Sequence, residues 1–216
     1  MRRVASFWVV VALLAVGAAA QTAKAGPEPV VVIRAGTLID GTEAPPRTNV
    51  VIVIRGDRIQ AVGDAAQVKT PPGAAVIDLS SATVLPGLID THTHLFLQGE
   101  IPEEGGYDVQ LLKHGLAFRA ARATVSARRA LEQGFATIRD VETEGAGYGD
   151  VGIKQAVDQE YIPGPRIFAS TRAISSTGGY LLRGYAPEIT VPKGVQIIDG
   201  PVEARKAARE QLDHGA

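Results

Sequence analysis

Valine and isoleucine crowd the chain between Pro29 and Gly63, with turn residues interrupting them. "PVVVIRAGTLIDG" (29–41) and "NVVIVIRGDRIQAVG" (49–63) read as strands, because β-branched side chains suit a pleated, half-buried surface. Gly56-Asp57 splits the second stretch into a hairpin. "AAVIDLSSATVLPG" (74–87) adds two short strands around Ser80-Ser81, so residues 29–86 predict a small antiparallel unit, part of a β-sandwich. The pattern then changes. Leu88-Ile89 reads as a short buried strand, and a loop follows through Gly105-Gly106. Ala120, Thr124, Ala127 and Leu131 recur at helical spacing and predict a helix from about 116 to 133, stopped by Gly134. Residues 135–141 predict a second strand. Asp150 is expected to cap a helix with Ile153, Val157 and Tyr161 on one face, ending at Pro163. Residues 166–170 predict a third strand. After a Gly-rich loop, Asp199-Gly200-Pro201 opens a helix carrying Ala204, Ala208 and Leu212. Alternating strands and helices imply parallel strands joined by crossover helices.

Composition narrows the chemistry. The 216 residues carry 22 basic and 23 acidic side chains, a formal charge of −1, so no basic patch points to nucleic acid. There is no cysteine, which excludes disulfides and thiolate metal sites. Any metal must be held by histidine, carboxylates or a modified side chain. Residues 1–25 have a basic start at Arg2-Arg3, an apolar run from Phe7, and A-x-A sites at Ala18/Ala20 and Ala23/Ala25. That is the three-part pattern of a secretory signal peptide; its apolar run is shorter than the roughly 18–20 residues that span a bilayer. The expectation is a periplasmic or secreted product with no stable membrane span after cleavage.

The chemistry centres on "VLPGLIDTHTHL" (84–95). On a strand, His92 and His94 point to one face, and two imidazoles at a strand end make half of a metal site. Asp90, two residues earlier, is placed on the same face to orient a ligand or the metal. Arg139 and Asp140 end the second strand toward the same mouth, as support for the site or as substrate contacts. His114 and His214 fall on helices or helix edges and read as solvated.

The same stretch resembles the signature of the metal-dependent amidohydrolase superfamily. "GTLIDGT" (36–42) and "GDRIQAVG" (56–63) resemble the first strands of its small β-sandwich. "GFATIRDV" (134–141) and "GPRIFASTRAISSTGG" (164–179) resemble the second and third barrel strands of its imidazolonepropionase-like and Xaa-Pro dipeptidase-like branch. The resemblance implies an α/β fold: a (β/α)8 TIM-type barrel, here incomplete with its first three βα units over 87–216, preceded by part of the sandwich over 29–86. It implies one or two divalent metals, usually zinc, with His92 and His94 holding one of them. It implies hydrolysis of a C–N bond in a small amide or dipeptide by metal-activated water. The alternatives are a deaminase or cyclic-amide hydrolase of the same superfamily, or a non-catalytic fragment or binding module. In the family a fourth-strand lysine and later histidines and an aspartate complete the site. The expectation is therefore an N-terminal fragment whose 216 residues alone do not hydrolyse an amide and whose proton-transfer residue is unassigned, with an oligomer left open for the intact enzyme. Relatives often carry His after the paired glycines of the third-strand loop. Here that position is Tyr180, a further candidate for support of the site or for substrate contact.

Overall fold

The computed structural model describes residues 28–97, 106–180 and 182–216. The signal peptide expected over 1–25 lies outside them. The chain divides into two compact units, Met1–Leu85 and Pro86–Ala216.

The first unit is one four-stranded sheet in the order β3-β2-β1-β4, made of β1 (Val30–Leu38), β2 (Arg47–Arg55), β3 (Arg58–Asp64) and β4 (Ala75–Val84). The hairpin turn at Gly56-Asp57 forms as expected, with Gly56 at φ 56°. Alternation buries Val32, Val51 and Val53 in one cluster and Ala35, Leu38, Val50 and Ile52 in another. Two expectations are corrected. β4 runs parallel to β1, so the unit is mixed rather than antiparallel. Residues 75–84 form one strand, not two: pairing jumps from Ala35↔Leu79 to Thr37↔Thr83, and Ser80–Ala82 bulge out. Gly36 permits this bulge, since a Cβ there would lie 2.2 Å from the Ser80 carbonyl oxygen.

The second unit is mixed α/β. Its sheet is three parallel strands, β5 (Leu88–Thr93), β6 (Phe135–Asp140) and β7 (Arg166–Ala169), in that order. α1 (Gly106–Leu112) and α2 (Leu116–Glu132) lie between β5 and β6, and α3 (Gly149–Asp158) lies between β6 and β7. A two-stranded ribbon, β8 (Ile174–Ser175) with β9 (Gln196–Ile197), precedes α4 (Pro201–Asp213). α1 follows the expected loop, in a stretch that carried no predicted element, and the ribbon falls in the stretch that read as a Gly-rich loop. Leu95, Phe96, Ala123, Ala127, Ile138, Ala146, Ile153 and Ile167 form the core between the helices and one sheet face.

The opposite sheet face is open at Ile89, which is 65% exposed, and Leu88 at the start of β5 is 47% exposed, which corrects the buried first strand. The helix faces also turn out displaced. In α2 the buried positions are Arg119, Ala123 and Ala127, and Leu131 is exposed. In α4 they are Ala207 and Gln211, while Leu212 is exposed. In each case a polar residue with buried partners takes the inner face. Asp150 does not cap α3 but sits in its first turn, fully buried, accepting from the Val151 and Thr171 backbone N–H groups at 2.9 and 2.7 Å. Tyr161 lies beyond the end of α3 and is exposed. Among the described residues no helix is long and apolar enough to cross a membrane.

Candidate metal centre

The parallel sheet brings Thr93, Asp140 and Ala169 into register, so the chain leaves all three strands at one end. His94 follows β5 there. The pairing contains a bulge: Asp90 opposes Ile138, yet Thr93 opposes Asp140, so three steps on β5 match two on β6. Paired residues share a face. Asp90 and Thr93 therefore lie on the side of Ile138 and Asp140, toward the helices, and His92 and His94 on the other side with Thr137 and Arg139. This corrects the expectation that Asp90 shares the imidazoles' face. Its carboxylate Oδ1 instead accepts from the His92 backbone N–H at 3.0 Å, a turn that fits the extra residue.

The imidazoles of His92 and His94 stand edge to face with ring centroids 5.3 Å apart. His92 is exposed and His94 partly covered. Nδ1 of His94 lies 3.2 Å from the Glu142 carbonyl oxygen. A carbonyl only accepts, so Nδ1 is the donor in this contact, and in the neutral ring that tautomer leaves the Nε2 lone pair free. Among the described residues no three His, Asp or Glu side chains converge as a complete metal site. The two histidines fit a divalent ion as a pair of nitrogen donors, half of a tetrahedral set.

The segment after β6 builds the floor under His94, and nothing in the sequence reading singled it out. Glu142, Thr143 and Glu144 are all buried. Glu144 adopts φ 51°, which costs a non-glycine residue about 1–2 kcal/mol. Its Oε1 lies 3.5 Å from Nδ1 of His94, and its Oε2 accepts from the Tyr180 hydroxyl at 2.7 Å. Tyr107 packs edge-on against Tyr180, ring centroids 5.9 Å apart. Arg119, only 5% exposed, donates to the carbonyls of Phe96, Thr143 and Glu144 at 3.2, 3.4 and 2.5 Å. One guanidinium thus ties the segment after β5 to the segment after β6. The available signal was positional: residues directly after successive parallel strands share one end, and Glu142 and Glu144 follow Asp140 there.

Electrostatics are unusual at this end. Burial, reinforced by the charge of Asp150, pushes the Asp140 carboxyl up to about 8, although the backbone N–H groups of Leu95 and Glu142 pull it partly back. Burial and the neighbouring Glu144 push Glu142 up to about 7. Burial also raises the Tyr180 and Tyr107 hydroxyls. Arg139 and Asp140 do not act as a pair: alternation points Asp140 into the core, while Arg139 is exposed on the histidines' side. Arg139 lines an open concavity with Ile89, Thr91, Thr137, Phe168 and Ser170, and neither histidine lines it. His114 packs against Phe118, and His214 stacks on Tyr148 with centroids 4.0 Å apart; neither joins the site.

Comparison with known proteins follows the same lines. Residues 83–216 match the amidohydrolase family. The chain is similar to ochratoxinase from Aspergillus niger, 31% identical over 203 residues, which covers 87% of this chain and 40% of that protein. It is similar to imidazolonepropionase from Thermoplasma acidophilum, 25% identical over 179 residues, covering 76% of this chain and 41% of the other. Among solved structures, a Xaa-Pro dipeptidase with methionine bound in its active site superposes with a TM-score of 0.74 at 30% identity, over 87% of this chain and 45% of that one. The chain thus spans less than half the length of these relatives.

Proposed function

Because the chain belongs to the amidohydrolase family, we propose that it carries the first two metal ligands of an enzyme that hydrolyses the C–N bond of a small amide or dipeptide. The observation that carries this reading is the bulged end of β5, which sets His92 and His94 on one face with ring centroids 5.3 Å apart. β5, β6 and β7 are then the first three strands of a (β/α)8 barrel, whose active sites form at the C-terminal strand ends. The sheet of the first unit is part of the accompanying β-sandwich. The coverage of relatives supports an N-terminal portion of a longer enzyme.

His92 and His94 would hold a divalent ion, zinc above all for a nitrogen-donor pair in a cysteine-free chain. The chemistry a bound ion supplies is Lewis acidity toward the amide carbonyl and an acidified water. This chain's own residues do the positioning. The Asp90 turn fixes the bulge that presents the imidazoles. The Glu142 carbonyl holds the Nδ1 proton of His94, so Nε2 faces outward. Arg139, exposed on the same side, meets the carboxylate of a dipeptide substrate, and Arg suits that contact because its donors match a carboxylate fork. The similarity to imidazolonepropionase favours a second reading, hydrolysis of a cyclic amide. Residues 1–25 are proposed as a signal for export to the periplasm or medium.

Elemental analysis after zinc loading tests the reading. The full chain should take up zinc loosely, and His92→Ala and His94→Ala should each abolish uptake while His114→Ala keeps it. Zinc retained by both single variants would sink the ligand assignment. Turnover of a panel of Xaa-Pro dipeptides and cyclic amides by the intact enzyme separates the two substrate readings.

A further inference from the structure

We infer that Glu144 and Tyr180 form a positioning pair for His94: the Glu144 carboxylate takes the Nδ1 side of the imidazole, and the Tyr180 hydroxyl locks that carboxylate in place. The inference rests on the reading of His94 as a metal ligand; it extends that reading to Glu144, which the sequence did not single out, and gives Tyr180, named there as a site candidate, a defined partner.

Four observations carry it. First, the carboxylate is divided between two partners. Oε1 faces Nδ1 of His94 at 3.5 Å, and Oε2 receives the Tyr180 hydroxyl at 2.7 Å. Second, Glu144 is 3% exposed, so its charge is hidden from water and acts on its neighbours at low dielectric. Third, the backbone at Glu144 is left-handed at φ 51°, where a glycine would be free of strain. Retaining a glutamate there makes sense if the side chain is needed in that direction. Fourth, Arg119 grips the Glu144 carbonyl at 2.5 Å and the Phe96 carbonyl at 3.2 Å, which fixes the carboxylate relative to the segment two residues beyond His94.

The physical consequence is a fixed ring and a richer donor. Nδ1–H is directed at the Glu142 carbonyl at 3.2 Å, and the Glu144 carboxylate at 3.5 Å adds its charge on the same side, which raises electron density at Nε2 and further disfavours the tautomer that would block it. Tyr180 contributes by ordering. Its backbone N–H donates to Ser175 Oγ at 3.0 Å and its ring meets Tyr107 edge-on, so the segment after the third strand reports directly on the ligand of the first. The residue that replaces the histidine common in relatives thereby acquires a role of its own.

The test uses the full chain, with zinc alone as the probe. Glu144→Gln keeps the size of the side chain and an acceptor for Tyr180, but removes the charge and offers a competing donor. Tyr180→Phe keeps the ring and removes only the hydroxyl. Zinc affinity is measured by isothermal titration, and the His94 tautomer by long-range 1H–15N correlation without metal. Glu144→Gln should weaken zinc binding about 10- to 100-fold and raise the share of the Nε2–H tautomer, against the bias toward Nδ1–H that the Glu142 carbonyl still supplies. Tyr180→Phe should shift both readouts in the same direction by a smaller factor, with an unchanged melting curve. If Glu144→Gln does not fold, Tyr180→Phe decides alone. Unaltered affinity and tautomer in the folded variants, alongside loss of zinc in His94→Ala, would overturn the positioning pair while leaving the ligand intact. Zinc affinity indifferent to His94→Ala would instead overturn the site reading itself.

Discussion

Asp140→Asn should make the protein more stable at alkaline pH and flatten its pH dependence. The Asp140 carboxyl is fully buried beneath the end of β6, and burial together with the charge of Asp150 pushes it up to about 8. In the unfolded chain the same group titrates near 3.8. Between those values the folded state keeps a proton that the unfolded state has lost. Stability therefore falls as pH rises through that window and levels off above about 8. One pH unit of such a mismatch is worth about 1.4 kcal/mol, so from pH 5 to 8 the wild type should lose on the order of 4 kcal/mol through this group. Glu142, raised to about 7, adds a slope of the same sign, which Asp140→Asn leaves in place. Asparagine is nearly isosteric, keeps an acceptor for the Leu95 N–H that Asp140 now binds at 3.2 Å, and cannot ionise. Denaturant unfolding at pH 5, 6.5 and 8, with chelator to remove stray metal, measures the difference. The gap between variant and wild type should widen steadily with pH in favour of the variant. A constant gap across the range would show that Asp140 is ionised throughout, and the reasoning from burial would fail.

Arg119→Met should destabilise the second unit by about 2–4 kcal/mol, because it strands three carbonyls that a buried guanidinium now satisfies; a denaturant midpoint within error of wild type would contradict this. Gly87→Ala should cost about 1–3 kcal/mol, since the added Cβ would sit 2.3 Å from that of Ala136; thermal melting reads it directly. Mass spectrometry of the exported protein should find a new N-terminus at Gln21 or Gly26, and a retained Met1 in a soluble exported product would remove the signal-peptide reading.

Much of the scaffold was legible because it rests on apolar periodicity. The Gly56-Asp57 hairpin, the strands around Ile138 and Ile167, and the helix ended by Gly134 all follow from side chains that must leave water and turns that must bend. Strand direction was not legible. β1 and β4 are parallel, and nothing in a run of valines records which way its neighbour points. The helix faces failed for a different reason. Periodicity assumes that the inner face is apolar, yet α2 turns Arg119 inward and α4 turns Gln211 inward. Both are affordable only because distant groups complete them: three loop carbonyls for Arg119, and Thr171 and Gln196 for Gln211.

The same distinction separates what was found of the site from what was missed. His92 and His94 announce themselves, since an i, i+2 pair of imidazoles has a chemistry that is visible in one dimension. Asp90 was visible too, but its face was not, because a single extra residue between Asp90 and Thr93 reverses the alternation. Glu142 and Glu144 look in sequence like two solvated acids in a turn. In the fold both are buried, Arg119, more than twenty residues upstream, donates to the Thr143 and Glu144 carbonyls, and Glu144 meets Tyr180 across 36 residues of chain. Arg119 fails as a core residue by pattern and succeeds as one by hydrogen bonding. Its burial displaces the face of α2, fixes the segment after β6, and so brings a carboxylate to within 3.5 Å of His94. The misread helix and the overlooked glutamate are thus one event, a buried cation whose partners no local pattern can supply.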